Sequence, residues 1–321
     1  MATAEEASVR PAPRRVGRPR LRPAKGWLAL PPALYLLGLL ILPIVLLSLY
    51  SVFLLTNLIG VTNVFSLSAW QDFFPSNPFT WKPWSTESVF WNRFTLSMCV
   101  TLIVSLVVTT MAYPLAYFLA FVSERRRYVF LFILLAPFFT SFLLRVLAWQ
   151  VMLNDSGVIN SALWQLGVLS DGQPLEIFGM GIFRTWFSVG LVLGYSWIPF
   201  VALPIFVVLE NMDRRVIEAA QDLGASRFMT FLRVTLPLSL PGVIAGFVFV
   251  LIPTTGEFVT PQLVGGTDTY MFGQAIQDLF IGTAISWNTG SVLAIWLMAV
   301  VVVLIAFSSR FLVMDLREGT E

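Results

Sequence analysis

The chain has 321 residues, of which 57% are hydrophobic and only 12% carry a formal charge, with a net charge of +2. Soluble domains carry about 25% charged residues, so this composition excludes a soluble globular protein and predicts an all-α polytopic membrane protein. Histidine is absent and Cys99 is the only cysteine, which excludes histidine-based catalysis, His-ligated metal sites and an internal disulfide. We therefore expect no metal site and no cofactor.

Residues 1–26 form a polar segment rich in arginine and proline, which predicts a disordered basic arm. Arms of this composition can bind anionic lipid or nucleic acid, but we interpret it as a positive-inside topology signal and expect no nucleic-acid partner. A signal peptide is the alternative for residues 1–50. The apolar run at 27–53 is longer than the roughly 7–15 residues of a signal-peptide core, so it predicts a retained first span.

Segments of about 20 apolar residues predict membrane-spanning helices. The chain has six such segments, at residues 27–53, 95–122, 128–152, 182–209, 242–262 and 288–311. Residues 54–93 predict an external loop whose tryptophans suit the membrane interface. The later spans predict a five-helix core at 94–312 that contains a polar segment at 211–241, followed by a tail at 313–321.

The distribution of arginine predicts how the spans are oriented. If the N-terminus is cytoplasmic, most arginines between the spans fall on the same side, including Arg125, Arg126, Arg127, Arg214 and Arg215. Both termini and the polar segment are therefore expected in the cytoplasm.

The polar segment at 211–241 has the pattern of two short amphipathic helices. The apolar face of the first helix is formed by Val216, Ala219, Ala220 and Leu223. Asp213 is its predicted N-cap and Gly224 its stop, while Ser226 is predicted to cap the second helix. Leu236-Pro237 is expected to break that second helix, because a residue before proline avoids the α region.

The same segment resembles the "EAA" loop of ABC-importer permeases. Glu218-Ala219-Ala220, then Gly224 after three residues, then Leu236-Pro237 fit that pattern, and Val234 stands where isoleucine is commonest. The resemblance implies the type I ABC-importer permease fold with six transmembrane helices. It also implies that the segment is a coupling helix seated on an ATPase. The coupling residues it implies are Glu218, Ala219, Ala220, Gly224, Arg227, Leu236 and Pro237.

The resemblance further implies a set of partners. These are a cytoplasmic ABC ATPase dimer, a second homologous permease subunit, and a periplasmic or lipid-anchored substrate-binding protein, in addition to membrane lipid. Lys25 and Lys82 are the only lysines and neither follows glycine, so the chain has no Walker A loop and is expected to be a transport subunit without its own ATPase site. An ATP-independent carrier or channel is the alternative. A membrane enzyme is disfavoured because the predicted spans offer no histidine, lysine or close pair of carboxylates.

Arg145 and Glu257 are ionisable residues inside predicted spans, where a charge is costly unless it is paired or faces water. At 1.5 Å per residue they lie about 22–26 Å from the starts of their helices, so a salt bridge between them is geometrically allowed. Pro253 and Gly256 predict a kinked or unwound helix before Glu257, and interrupted helices line cavities in transporters. We assign Arg145, Trp149 and Glu257 to a predicted translocation pathway. The alternatives are a pair that only fixes helix packing, or an Arg145 side chain that reaches the membrane interface.

A second resemblance concerns the substrate. Residues 137–145 with Ala148-Trp149, and residues 257–261 with 263–266, are similar to the polyamine (spermidine/putrescine) permeases of the importer family. That resemblance implies a polyamine substrate, for which carboxylates and aromatic faces would supply binding groups. The candidates for these groups are Glu257, Asp155, Trp149 and Tyr195. Arg145 would repel a polycation unless it is neutralised, whereas an anionic or zwitterionic substrate would use it directly. The resemblance to the importer family also implies other small solutes, such as an opine, ferric iron or another organic ion, as the alternative.

Overall fold

A computed structural model describes residues 30–57, 60–73, 89–121, 126–170, 172, 174–177, 180–282 and 285–318. The predictions for the arm at 1–26, for part of the external loop at 54–93, for Arg125 and for residues 319–321 lie outside the described residues. The chain divides into two compact units, residues 1–45 and 46–321. Within the described residues, six helical stretches are long and apolar enough to cross a membrane, which confirms the predicted all-α polytopic fold class.

The helices are numbered here in chain order. They are α1 (Leu30–Val52), α2 (Ser68–Phe73), α3 (Val89–Phe121), α4 (Arg127–Leu135), α5 (Phe142–Leu153), α6 (Val158–Gln165), α7 (Trp186–Glu210), α8 (Arg214–Asp222), α9 (Arg227–Thr230), α10 (Leu236–Thr255), α11 (Val259–Val264), α12 (Phe272–Ile281) and α13 (Trp287–Glu318). Two short antiparallel hairpins pair β1 (Phe53–Asn57) with β2 (Gly60–Phe65), and β3 (Glu176–Ile177) with β4 (Met180–Gly181). Both hairpins lie between helices that the sequence predicts as spans.

The core of the second unit is formed by α3, α7 and α10, which pack side by side. Two glycines of α10 let its backbone approach α7 closely. A Cβ atom on Gly242 would lie 2.8 Å from the carbonyl oxygen of Pro204, and one on Gly246 would lie 2.9 Å from Cγ1 of Val201. Small residues at helix interfaces commonly allow such approach in membranes, so α7 and α10 are held as one rigid pair.

The predicted third span, 128–152, is divided in two. α4 ends at Leu135, a 3₁₀ turn covers Ala136–Phe139, and α5 begins only at Phe142. Pro137 has no N–H to continue the helix. Its carbonyl oxygen instead accepts a hydrogen bond of 2.6 Å from Oγ1 of Thr140. The third stretch long enough to span a membrane is therefore Phe142–Gln165, and Arg127–Phe139 is a shorter apolar helix.

The predicted break at Leu236-Pro237 is wrong, because the helix continues unbroken from Arg227 to Thr255. A π-helical turn at Phe231–Thr235 precedes the proline, and the N–H of Leu236 donates to the carbonyl oxygen of Phe231. This i to i−5 pattern widens the helix. Pro237 then falls in the first turn of α10, where a missing N–H is tolerated.

The fifth span also ends earlier than the predicted residue 262. α10 stops at Thr255, and α11 is a separate short helix after a turn at residues 256–258. The predicted interruption before Glu257 is thereby confirmed. The second and sixth spans are longer than predicted, because α3 already begins at Val89 and α13 continues to Glu318.

The close approach of α10 to α7 predicts the effect of adding a side chain at Gly246. We expect Gly246→Leu to lower the free energy of unfolding by about 1–3 kcal/mol, because the new atoms would overlap Val201. Gly190→Leu is the control, since a Cβ atom there meets nothing within 4 Å. Thermal unfolding in detergent measures both, and equal stability of the two variants would contradict this packing.

Candidate coupling segment and membrane-embedded site

Both ends of α8 are formed by local hydrogen bonds that the sequence predicts. Oδ1 of Asp213 accepts from the N–H of Arg215 at 3.0 Å, which confirms the predicted N-cap. At the other end, the N–H of Ala225 donates to the carbonyl of Ala220, and the N–H of Gly224 donates to that of Gln221. These two bonds form a Schellman motif, which requires a left-handed residue after the helix. Gly224 supplies it with a φ of +89°.

The second helix of the segment begins at a side-chain cap. Oγ of Ser226 accepts from the N–H of Met229 at 3.3 Å, which confirms the predicted cap. α9 then runs through the π-turn into α10. Phe231 of that turn packs edge-on against the rings of Tyr113 and Tyr117 of α3, at 5.8 Å in both cases. The elbow at Gly224 is therefore attached directly to a core helix.

The elbow leaves large apolar side chains exposed. Leu223 is 89% exposed, Phe228 71% and Val216 45%. The implied coupling residues Glu218, Ala219 and Arg227 are exposed in the same segment, whereas α8 packs chiefly against α9 and the π-turn. Exposed apolar side chains clustered in this way mark an interaction surface.

Arg145 is held by the interrupted third span. Its Nη1 atom donates to the carbonyl oxygen of Pro137 at 3.4 Å, and its guanidinium carbon lies 4.3 Å from the ring centre of Phe138 and 6.0 Å from that of Phe142. Phe138 in turn packs edge-on against Phe200 of α7. The side chain therefore stabilises the break, with its charge over aromatic faces.

Glu257 occupies the other interruption. Its Oε1 atom accepts from the N–H groups of Val259 and Thr260, each at 3.0 Å, and from Oγ1 of Thr260 at 3.3 Å. The carboxylate thus satisfies N–H groups in the first turn of α11. No ion pair joins Glu257 to Arg145, although both side chains lie within the described residues. The allowed salt bridge is not formed, because each charge has local backbone partners.

Trp149 projects from α5 toward α7. Its ring packs edge-on against Tyr195 at 5.5 Å and lies against the buried core. The structure therefore places Arg145 and Trp149 on one helix and Glu257 at the start of α11, which packs against that helix. No group of three or more side chains suited to holding a metal occurs in the described part of the chain.

A polar cleft of about 510 Å³ lies beside α11, and the sequence reasoning did not identify it. Its charged and amide side chains are Gln150, Arg184, Gln262, Asp268 and Gln274. Arg184 has a φ of +62°, which is uncommon for a residue with a side chain. Gly266 fits tightly against it, since a Cβ atom there would lie 2.6 Å from the carbonyl oxygen of Arg184. In the sequence, the adjacent glycines Gly265 and Gly266 were the feature that could have pointed to this cleft.

The hydrogen bonds to Glu257 predict how it responds to substitution. Glu257→Ala removes the acceptor for three donors, so we expect a loss of about 1–2 kcal/mol in unfolding free energy. Glu257→Gln keeps an oxygen acceptor and should lose less. Thermal unfolding of both variants in detergent is the measurement, and an equal loss would show that the charge matters rather than the accepted bonds.

The absence of a contact between Arg145 and Glu257 predicts additivity. Losses of stability in Arg145→Gln and Glu257→Gln should sum in the double variant to within about 0.5 kcal/mol. The same unfolding measurement on all four proteins tests this. A double variant that is clearly more stable than the sum would indicate that the two charges pair.

Comparison with known proteins identifies the family. The family model described as binding-protein-dependent transport system inner membrane component matches residues 110–314. The chain is 35% identical over 217 residues to the spermidine/putrescine transport system permease protein PotB of Haemophilus influenzae, covering 68% of this chain and 72% of that protein. It is 34% identical over 179 residues to PotB of Escherichia coli K12, covering 56% and 62% respectively.

Solved structures agree with this at the level of the fold. A bacterial ABC transporter involved in the import of the acidic polysaccharide alginate superposes with a TM-score of 0.68 at 19% identity, over 92% of this chain and 96% of that one. Its complex with an alginate pentasaccharide-bound periplasmic protein gives 0.62 at 18% identity. The chain therefore belongs to the binding-protein-dependent transport system inner membrane components, as a multi-pass permease subunit of an ABC importer in the bacterial inner membrane.

Proposed function

We propose that this permease subunit translocates a polyamine such as spermidine or putrescine, by alternating access driven by a separate ATPase. The observation that carries the substrate is the 35% identity to a spermidine/putrescine permease over 68% of the chain. The match spans 72% of that protein but only 60–62% of the Salmonella and Escherichia relatives. The match to the family model, at residues 110–314, includes the core in which the two interrupted spans lie.

The exposed elbow at Gly224 is the proposed contact with the ATPase. Leu223 and Phe228 supply apolar surface, and Glu218 and Arg227 supply opposite charges that can orient it. Both helices of the elbow are capped, so we expect the two helices to move as one body when the ATPase displaces the elbow. This proposal places the segment at 211–241 and both termini in the cytoplasm, in agreement with the arginine distribution.

The proposed pathway runs beside the two interrupted spans. The aromatic faces of Trp149 and Tyr195 suit the passage of an ammonium group, and Glu257 is the nearby carboxylate. Arg145 opposes a polycation, but its charge is directed onto Phe138 and the carbonyl of Pro137. The same arginine is the observation that favours the second candidate, an importer of an anionic or zwitterionic solute.

The partners proposed for this chain follow from the family and the structural neighbours. The related alginate importer has been solved with a substrate-loaded periplasmic protein, which supports an external binding protein for this subunit as well. We propose a second homologous permease subunit and two ATPase subunits to complete the assembly. ATP hydrolysis in those subunits would supply the energy, and this chain would form part of the translocation pathway.

The left-handed backbone at Gly224 predicts a test of coupling and substrate together. Gly224→Val forces a β-branched residue into a φ of +89°. We expect it to abolish most ATP-dependent uptake of radiolabelled spermidine and putrescine in vesicles that contain the whole assembly. Gly224→Asn is the matched control, because asparagine tolerates this region and no atom lies within 4 Å of the added Cβ. It should retain most uptake.

Three other outcomes would change the proposal. Uptake of an anionic solute that is lost only in Gly224→Val would keep the importer and remove the polyamine. Equal uptake by both variants would remove the coupling role of the elbow. Uptake that needs no ATP would overturn the ATPase-driven mechanism.

A further inference from the structure

The last residue of α7 forms an ion pair at the base of the coupling segment. Oε1 of Glu210 lies 3.0 Å from Nη1 of Arg127, and both side chains are only about one-fifth exposed, at 23% and 21%. Arg127 is the first residue of α4 and also stacks on the ring of Tyr128 at 4.9 Å. The pair therefore joins α7 to the inner half of the interrupted third span, defined here as α4.

Glu210 is fixed to α8 by a short connection. Only three residues separate the end of α7 from the start of α8. Both the backbone N–H and the side-chain amide of Asn211 donate to the carbonyl oxygen of Val207. Met212 packs against the buried core, and Asp213 caps α8. We therefore expect a displacement of α8 to move Glu210 with it.

α4 packs against the core along one face. Phe130, Leu131 and Leu134 lie against the buried core, but none of the residues of α4 is fully buried, and its other face is exposed. Beyond the 3₁₀ turn that follows α4 lies the break at Thr140–Ser141, where the carbonyl of Pro137 binds Thr140 and Arg145. α4 is thus attached at one end to the coupling segment and at the other to the proposed pathway.

We propose that the Glu210–Arg127 ion pair is a positioning contact that transmits movement of α8 to α4 and so to the break in the third span. This inference rests on the proposed ATPase-driven function. Because both side chains are only about one-fifth exposed, separating the pair would leave two largely buried charges without partners, so the contact fixes the direction in which α4 moves. Helices that move as bodies about a hinge use such contacts to stay together.

The test is a charge exchange in the complete importer, reconstituted in vesicles. Arg127→Glu and Glu210→Arg each place like charges together, and we expect each to lower uptake per ATP hydrolysed by at least about five-fold, the lower end of typical couplings between sites. The double variant restores an opposite pair and should recover most of that ratio. Arg126→Glu is the matched control, since Arg126 is exposed and adjacent, and it should leave the ratio unchanged.

The ratio separates transmission from folding. A contact that only stabilised the fold would reduce assembly, and with it uptake and ATP hydrolysis in parallel, leaving the ratio as in the unaltered protein; that result would overturn the proposal. Failure of the double variant to recover would also overturn it. If the charge-reversed singles do not assemble, Arg127→Gln and Glu210→Gln carry the same measurement. ATP-independent uptake by the unaltered protein would instead remove the proposed function on which the inference rests.

Discussion

A backbone inside a membrane must satisfy its N–H and C=O groups without water, and this constraint accounts for the way each interruption in the chain is built. At the break in the third span, Thr140 and Arg145 donate to the carbonyl of Pro137. After α10, Glu257 accepts from the first turn of α11. At both of these interruptions, a nearby side chain forms hydrogen bonds with backbone groups that the helix leaves without a partner.

Differences in packing distinguish the parts of the protein that are held together closely from those that have room to move. Gly242 and Gly246 lock α10 against α7 over their backbones, and α3 packs alongside both. α4 has no fully buried residue and lies between an ion pair and a helix break. A closely packed core beside a helix that packs along one face suits the proposed alternating access, in which bodies rotate while a few joints absorb the change.

The two charges in the interrupted spans serve first as structural groups. Arg145 is directed to Phe138 and the carbonyl of Pro137, and Glu257 to the start of α11. Each charge is therefore already compensated by local dipoles or aromatic faces, which lowers the cost of placing it in the spans. In the proposed pathway, a substrate would pass beside charges whose positions are set by the backbone. This arrangement is compatible with recognition of a flexible polycation by aromatic faces.

The local features of the coupling segment could be predicted from the sequence. The caps at Asp213 and Ser226 and the left-handed stop at Gly224 involve groups within three or four residues of each other, so the order of residue types is enough to specify them. The number of spans followed in the same way from the lengths of the apolar runs. The family resemblance rested on these same residues.

The course of the backbone through Pro137 and Pro237 could not be predicted locally. Each of the two prolines lacks a backbone N–H, yet the helix breaks after Pro137 and continues through Pro237. At the first, the chain leaves the helix and Thr140 and Arg145 donate to the carbonyl of Pro137 itself. At the second, a π-turn packed against Tyr113 and Tyr117 of α3 precedes the proline. The partner of Glu210 depended likewise on packing between elements, because the fold brings Arg127 of α4 within reach of the end of α7.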